Sequence, residues 1–99
     1  LENLVFIELR RRAVEIYYYK QKHECDFIIR NGIRITEAIQ DSITLNEVEV
    51  KNRELKGLIE ALETYSLKKG IILTEYEEDT LKIENKEIQI IPVWKWLLQ

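Results

Sequence analysis

The only histidine and the only cysteine of this 99-residue chain stand in His23-Glu24-Cys25-Asp26, four potential ligands in four positions. In a strand, alternation sends His23 and Cys25 to one side and Glu24 and Asp26 to the other. One histidine and one cysteine do not make a tetrahedral zinc site, which takes four ligands. His23 therefore reads as a turn-edge residue and Cys25 as a core thiol. The chemistry left to Glu24 and Asp26 is that of paired carboxylates. They can hold a hard divalent cation, or, if both face one pocket, at least one of them has a raised pKa.

What Asp26 can work with depends on the residues facing it across the turn at Asn31-Gly32. A two-residue loop pairs position 30 with 33 and sets Asp26 opposite Glu37. A three-residue loop pairs 29 with 33 and sets Asp26 opposite Thr36. One residue of slip exchanges the two faces. Only the three-residue loop collects Cys25, Phe27, Ile29, Ile33, Ile35 and Ile39 on one apolar face, with Glu37 as the misfit. A type I turn with Gly in the left-handed position makes such a loop. The other face then carries Asp26 together with Gln40 and Ser42.

The elements that must position these residues follow from periodicity. Leu1 to Arg12 has apolar residues at helical spacing. Val14–Lys20, Glu24–Arg30 and Ile33–Gln40 read as three strands. A long helix, Glu47 to Ser66, buries Leu55, Leu58, Ile59, Leu62 and Tyr65. Ile71–Thr74 is short and continuously apolar, as in a central strand covered on both faces. A hairpin over Asn85-Lys86 and a short closing helix complete the order α-β-β-β-α-β-β-β-(α). Pro92 suggests that the last strand runs out at a sheet edge. The third strand, the long helix and Ile71–Thr74 form a crossover between parallel neighbours. The expected architecture is one α/β domain over residues 1–99, a mixed central sheet flanked by helices.

Composition sets limits. At 45% hydrophobic and 33% charged residues, the chain can build one core and is not a disordered segment. Its net charge of −3 provides no global attraction for nucleic acid or an acidic membrane. No apolar run approaches the roughly 20 residues of a membrane span, and no signal peptide is visible. A single cysteine fits a reducing, cytoplasmic setting. The start at Leu1 and the lack of any methionine suggest a piece of a longer protein.

An acidic residue on one strand, a hairpin and two polar positions two apart on the next resemble the skeleton of the PD-(D/E)XK nuclease superfamily. The order of elements is similar to that restriction-endonuclease-like fold. More closely, "LEN" at the start, "ECDF" in the middle and "IPVWKWLL" at the end resemble the C-terminal domain of archaeal and other prokaryotic P-loop ATPases of the AAA/STAND type, over nearly the whole chain. In active nucleases of the superfamily, a helix glutamate, an aspartate and a second acid hold Mg²⁺, and a lysine two residues on positions the attacking water. The resemblance puts Glu2, Asp26 and Gln40 at the three ligand positions, with Asp26 and Gln40 as the metal ligands proper. It puts Ser42 at the lysine position. Glutamine replaces the acid in some active members, but serine cannot supply the lysine's charge. Lys51 or Arg53 on the following helix could stand in for it. Taking Glu37 as the second acid fails, because Ile39 follows two residues later.

The resemblance thus implies an accessory domain with a degenerate nuclease site, partnered by an ATPase domain in the rest of the polypeptide. The absence of GxxxxGK[ST] places nucleotide binding outside these residues. The alternatives are a Mg²⁺-dependent DNA endonuclease and a pure protein-interaction module. DNA and a second copy of the chain are further candidate partners, and a membrane is not. Tyr17, Tyr18 and Tyr19 could stack bases, but alternation favours sheet packing. Arg10 to Arg12 reads as a solvated helix end. Trp94 and Trp96 cap the core or meet another domain.

Overall fold

In the computed structural model, residues 2–12 and 15–99 are described. The expected boundaries at Leu1 and Val14 lie outside them. Helix α1 (Glu2–Arg11) is followed by strands β1 (Glu15–Lys20), β2 (Glu24–Asn31) and β3 (Arg34–Asp41). Helix α2 (Val48–Thr64) leads to β4 (Lys69–Thr74), β5 (Asp79–Ile83), β6 (Lys86–Pro92) and helix α3 (Val93–Leu97). The six strands form one mixed sheet in the order β1-β2-β3-β4-β6-β5. Strand β4 is central and parallel to both β3 and β6, which explains its unbroken apolar run.

Helices cover both faces. Under α2, Ile28, Ala38, Ile72 and Ile88 meet Leu58, Ala61 and Leu62. On the other face Phe27, Ile29, Ile39, Leu73 and Ile91 meet Val5 and Leu9 of α1 and Trp96 of α3. The hairpin face expected to be polar is therefore the one α2 covers.

Two local irregularities change the expected register. The β2–β3 hairpin pairs Asn31 with Arg34 and Arg30 with Ile35, so the turn is Gly32-Ile33, with Gly32 at φ 68°. A bulge then inserts Thr36, and the pairing resumes as Ile29 with Glu37 and Phe27 with Ile39. This register brings Asp26 beside Gln40, four residues farther along β3 than the three-residue loop places it. A second irregularity in the β1–β2 pairing lies at Asp26-Phe27. It sends Cys25 to the α2 side and Phe27 to the α1 side. Pro92 is not on an edge strand: β6 is internal, and Pro92 ends it and leads into α3. The last hairpin turns on Glu84-Asn85, both at positive φ, with Ile83 paired to Lys86. That is one residue earlier than expected, at a position where asparagine tolerates the left-handed region.

Gly57 fixes how closely α2 lies on the sheet. A Cβ there would stand 1.8 Å from the Glu24 carbonyl oxygen and 2.8 Å from Gln40 Nε2. Helix backbone and strand backbone are thus in direct contact beside the residues of interest.

Candidate functional site

Gln40 lies near the end of β3 and is 2% exposed. Its Oε1 accepts the Asp26 N–H at 2.8 Å, and its Nε2 donates to the carbonyls of Glu24 (2.8 Å) and Glu54 (3.1 Å). Two carbonyls fix which end of the amide carries nitrogen. One side chain therefore joins β2, β3 and α2, and its oxygen faces a backbone donor rather than an open cavity. Ser42, the residue expected at the lysine position, donates its hydroxyl to the Thr44 carbonyl at 2.9 Å. Its N–H donates to the Leu73 carbonyl.

The carboxylate of Asp26 does not meet the Gln40 amide. Its Oδ2 accepts the Asp41 N–H at 2.9 Å, and its neighbour is the Asp41 carboxyl. Burial first, then hydrogen bonding to Asp26, then the charges of Asp26 and Glu2, push Asp41 up to about 7. With both carboxyls ionised, the buried Asp41 Oδ2 has no partner. A proton on Asp41, donated to Asp26, satisfies it and removes the repulsion between like charges. Glu54 is also raised, by burial and then by the charge of Asp26, with Arg53 at 3.5 Å opposing the shift.

These groups line two adjoining clefts. One, of about 420 Å³, is bordered by Lys22, Glu24, Asp26, Gln40, Arg53 and Glu54. The other, of about 440 Å³, is bordered by Glu2, Asp41, Ser42, Arg53 and Glu54. The structure thus gathers all four sequence-derived positions at one end of the sheet, but splits them between two clefts. Arg53 is the helix cation that borders both. To a Mg²⁺ ion the site offers chiefly the Asp26 and Asp41 carboxylates. Among the described residues no three or more His, Cys, Asp or Glu side chains are disposed to hold a metal.

Asp41 escapes the sequence reading because the strand is taken to end at Gln40. Glu54 escapes it because attention goes to the helix cations. The usable signal for Asp41 is that it directly follows Gln40, so a strand longer by one residue brings its backbone beside Asp26.

The proton on Asp41 sets a pH dependence. Its folded value lies above the ordinary carboxylate range, so the folded state binds more protons than the unfolded between pH ~4 and ~7. Stability from this group is full below that window and declines as pH rises through it. Asp41→Asn is expected to flatten that slope and to raise the melting temperature at pH 8, read from thermal melts between pH 4 and 8. An unchanged slope would remove Asp41 as its source.

Of the neighbouring residues that suggested chemistry, His23 and Cys25 are structural. His23 Nδ1 lies 2.6 Å from Glu60 Oε2 on α2. Glu60 Oε1 accepts from the Lys22 and His23 N–H groups and the Tyr19 hydroxyl. Cys25 is fully buried, its thiol pushed up to about 12 by burial. The expected sheet packing holds for Tyr19, which is buried, but not for Tyr17 and Tyr18, which are exposed. The Arg11 and Arg12 guanidiniums hold Glu8 at about 2, and Arg12 also lies over the Trp96 ring at 4.5 Å. Arg10 and Arg11 are exposed, as a solvated helix end should be, while Arg12 staples α1 to α3.

Fold and site together define a mixed α/β domain with an acidic pair beside a buried amide joint. No family model matches the chain, and no solved structure does. The chain is similar to an uncharacterized protein of Methanocaldococcus jannaschii, MJ1544, with 38% identity over 109 aligned positions. The match takes in 99% of this chain and 24% of that protein, so the chain spans about a quarter of the length of this relative. Among the described residues no helix is long and apolar enough to cross a membrane.

Proposed function

We propose that this chain is an accessory domain of a larger P-loop ATPase of archaeal type, restriction-endonuclease-like in fold, whose nuclease site has become a structural joint. The observation that carries the reading is the Gln40 amide. Its oxygen and nitrogen are held by three backbone groups on β2 and α2, and the hydroxyl at the lysine position is bonded to its own loop. The role is docking to the ATPase core. Leu4, Phe6 and Ile7 on the outer side of α1 are each 44% exposed or more, with Trp94 on α3 and Leu98 just after it also exposed. The turn Leu4–Ile7 of α1 is thus apolar all round, and such a turn is ordinarily covered. The similarity to a quarter of a longer protein supports a domain in a larger chain. The lone, buried, unpaired cysteine suits a reducing cytoplasm.

The second reading is a Mg²⁺-dependent DNA endonuclease. It is favoured by the neighbouring Asp26 and Asp41 carboxyls, which border two adjoining clefts that share Arg53. A plasmid-nicking assay with Mg²⁺ or Mn²⁺ separates the two. The accessory role gives no metal-dependent nicking, in the chain or in Asp26→Ala. Nicking that needs metal and is lost in Asp26→Ala establishes the endonuclease instead.

A further inference from the structure

At the opposite end of the sheet from Asp26, we infer a binding site for the phosphate backbone of a nucleic-acid strand, formed by Lys68, Lys69, Lys82, Lys86 and Asn85. These residues and Glu87 border a cleft of about 300 Å³ at the start of β4 and the β5–β6 hairpin. The site goes beyond the accessory reading and stands on other residues.

The pairing of the strands brings the lysines together. Lys69 and Lys82 both pair with Glu87, one from each side of β6. Lys69 lies 3.9 Å from Glu87, and Glu37 shares the adjoining cleft with that pair. Lys69 is thus compensated. Lys68 directly precedes β4, and its carbonyl accepts the Glu87 N–H at 2.8 Å, which brings it beside Lys86 at the start of β6. Among the described residues no carboxylate lies within ion-pair distance of Lys68, Lys82 or Lys86. Like charges placed side by side on a sheet are unfavourable, and an anion relieves them.

The arrangement suits repeated phosphates better than a single carboxylate. The lysines reach this end of the sheet from three adjacent strands, spread over roughly 10 Å at ~4.8 Å per strand, with Lys69 and Lys82 on the Glu87 face and Lys86 on the other. Lysine is a compact cation that accepts any oxygen geometry, and Asn85 on the turn adds an amide donor. No aromatic side chain borders the cleft, so bases have no stacking platform and the contact is to backbone, without sequence preference. The chain's net charge of −3 repels a polyanion at long range. Within a Debye length of ~10 Å at 0.1 M salt, the local lysines dominate. Binding is accordingly weak and steep in salt. The Lys69 end of β4 lies about 15 to 20 Å from its Thr74 end, beside which Asp41 is paired. A strand held by the lysines is therefore held away from the acidic clefts.

Fluorescence anisotropy with a labelled single-stranded oligonucleotide at 50 and 200 mM salt tests the site. Lys82→Gln/Lys86→Gln is expected to weaken binding about tenfold or more and to lower the slope of log K against log salt by roughly 1.4, about 0.7 for each phosphate contact removed. Lys56→Gln/Lys95→Gln, on the two helices, and Asp26→Asn are expected to leave both unchanged. Circular dichroism melts of every variant check that the fold is kept. The site is overturned by no binding at 50 mM salt, by equal loss in the helix lysine variant, or by loss in Asp26→Asn. Tighter binding of a glutamate-rich peptide than of the oligonucleotide also overturns it. Failure here leaves the nicking result untouched, and nicking by the chain leaves this result untouched.

Discussion

Gly57→Ala is expected to lower the melting temperature by roughly 15 °C or more. In an exposed helix interior the same change stabilises by about 1 kcal/mol, because alanine restricts the unfolded chain and favours the helix. Here the sign reverses. The new methyl would stand 1.8 Å from the Glu24 carbonyl oxygen, which belongs to strand backbone and cannot swing aside. α2 must lift, and lifting it pulls the Glu54 carbonyl from Gln40 Nε2. Overpacking costs about 1–3 kcal/mol, and a buried amide donor left unpaired costs about 1–3 more. A total of about 3 kcal/mol, at 4–8 °C per kcal/mol in a domain of this size, gives the shift. Thermal melts by circular dichroism measure it. A rise in melting temperature would mean that α2 does not lie directly on β2.

Gln40→Glu, which puts an acid where the proposed nuclease likeness places a metal ligand, is expected to destabilise the chain by about 3 kcal/mol at pH 8. An oxygen would replace Nε2 against two carbonyl oxygens that now lie 2.8 and 3.1 Å away. Ionised, the carboxylate is repelled by both and is buried without a counter-charge. Protonated, it can donate to only one of them. Its folded pKa is then raised, so the loss is smaller at pH 5 and grows as pH rises through that value. A Gln40→Glu chain as stable as the parent at pH 8 would show that the amide is not a joint.

Much of the architecture was legible because it follows from periodicity and length. A long amphipathic helix between two short apolar strands can hardly avoid a parallel crossover, and Ile71–Thr74, apolar on both sides, belongs in the middle of a sheet. The site was less legible, for reasons of one residue each. Neither bulge is marked by glycine: Thr36 and Asp26-Phe27 are ordinary strand residues, and the hydrophobic pattern cannot show where an extra one is absorbed. The expected register was therefore four residues off along β3. Asp41 was lost with it, and the acid beside Asp26 turned out to be a neighbour of Gln40 rather than a residue facing Asp26 on the same side. Gly57 carried a signal, since an isolated glycine among strong helix formers usually marks close packing. Its partner could not be named without the fold. Pro92 misled because an internal strand tolerates proline at its last residue, where no ladder donor is needed.

The most direct measurement is calorimetric titration of Mg²⁺ into the parent chain and into Gln40→Glu. A joint that has replaced a metal site gives no saturable heat in either, and the substitution only loses stability. Saturable 1:1 binding in the parent, or binding that appears in Gln40→Glu and vanishes when Asp26→Asn is added, would contradict this and make Asp26 a metal ligand.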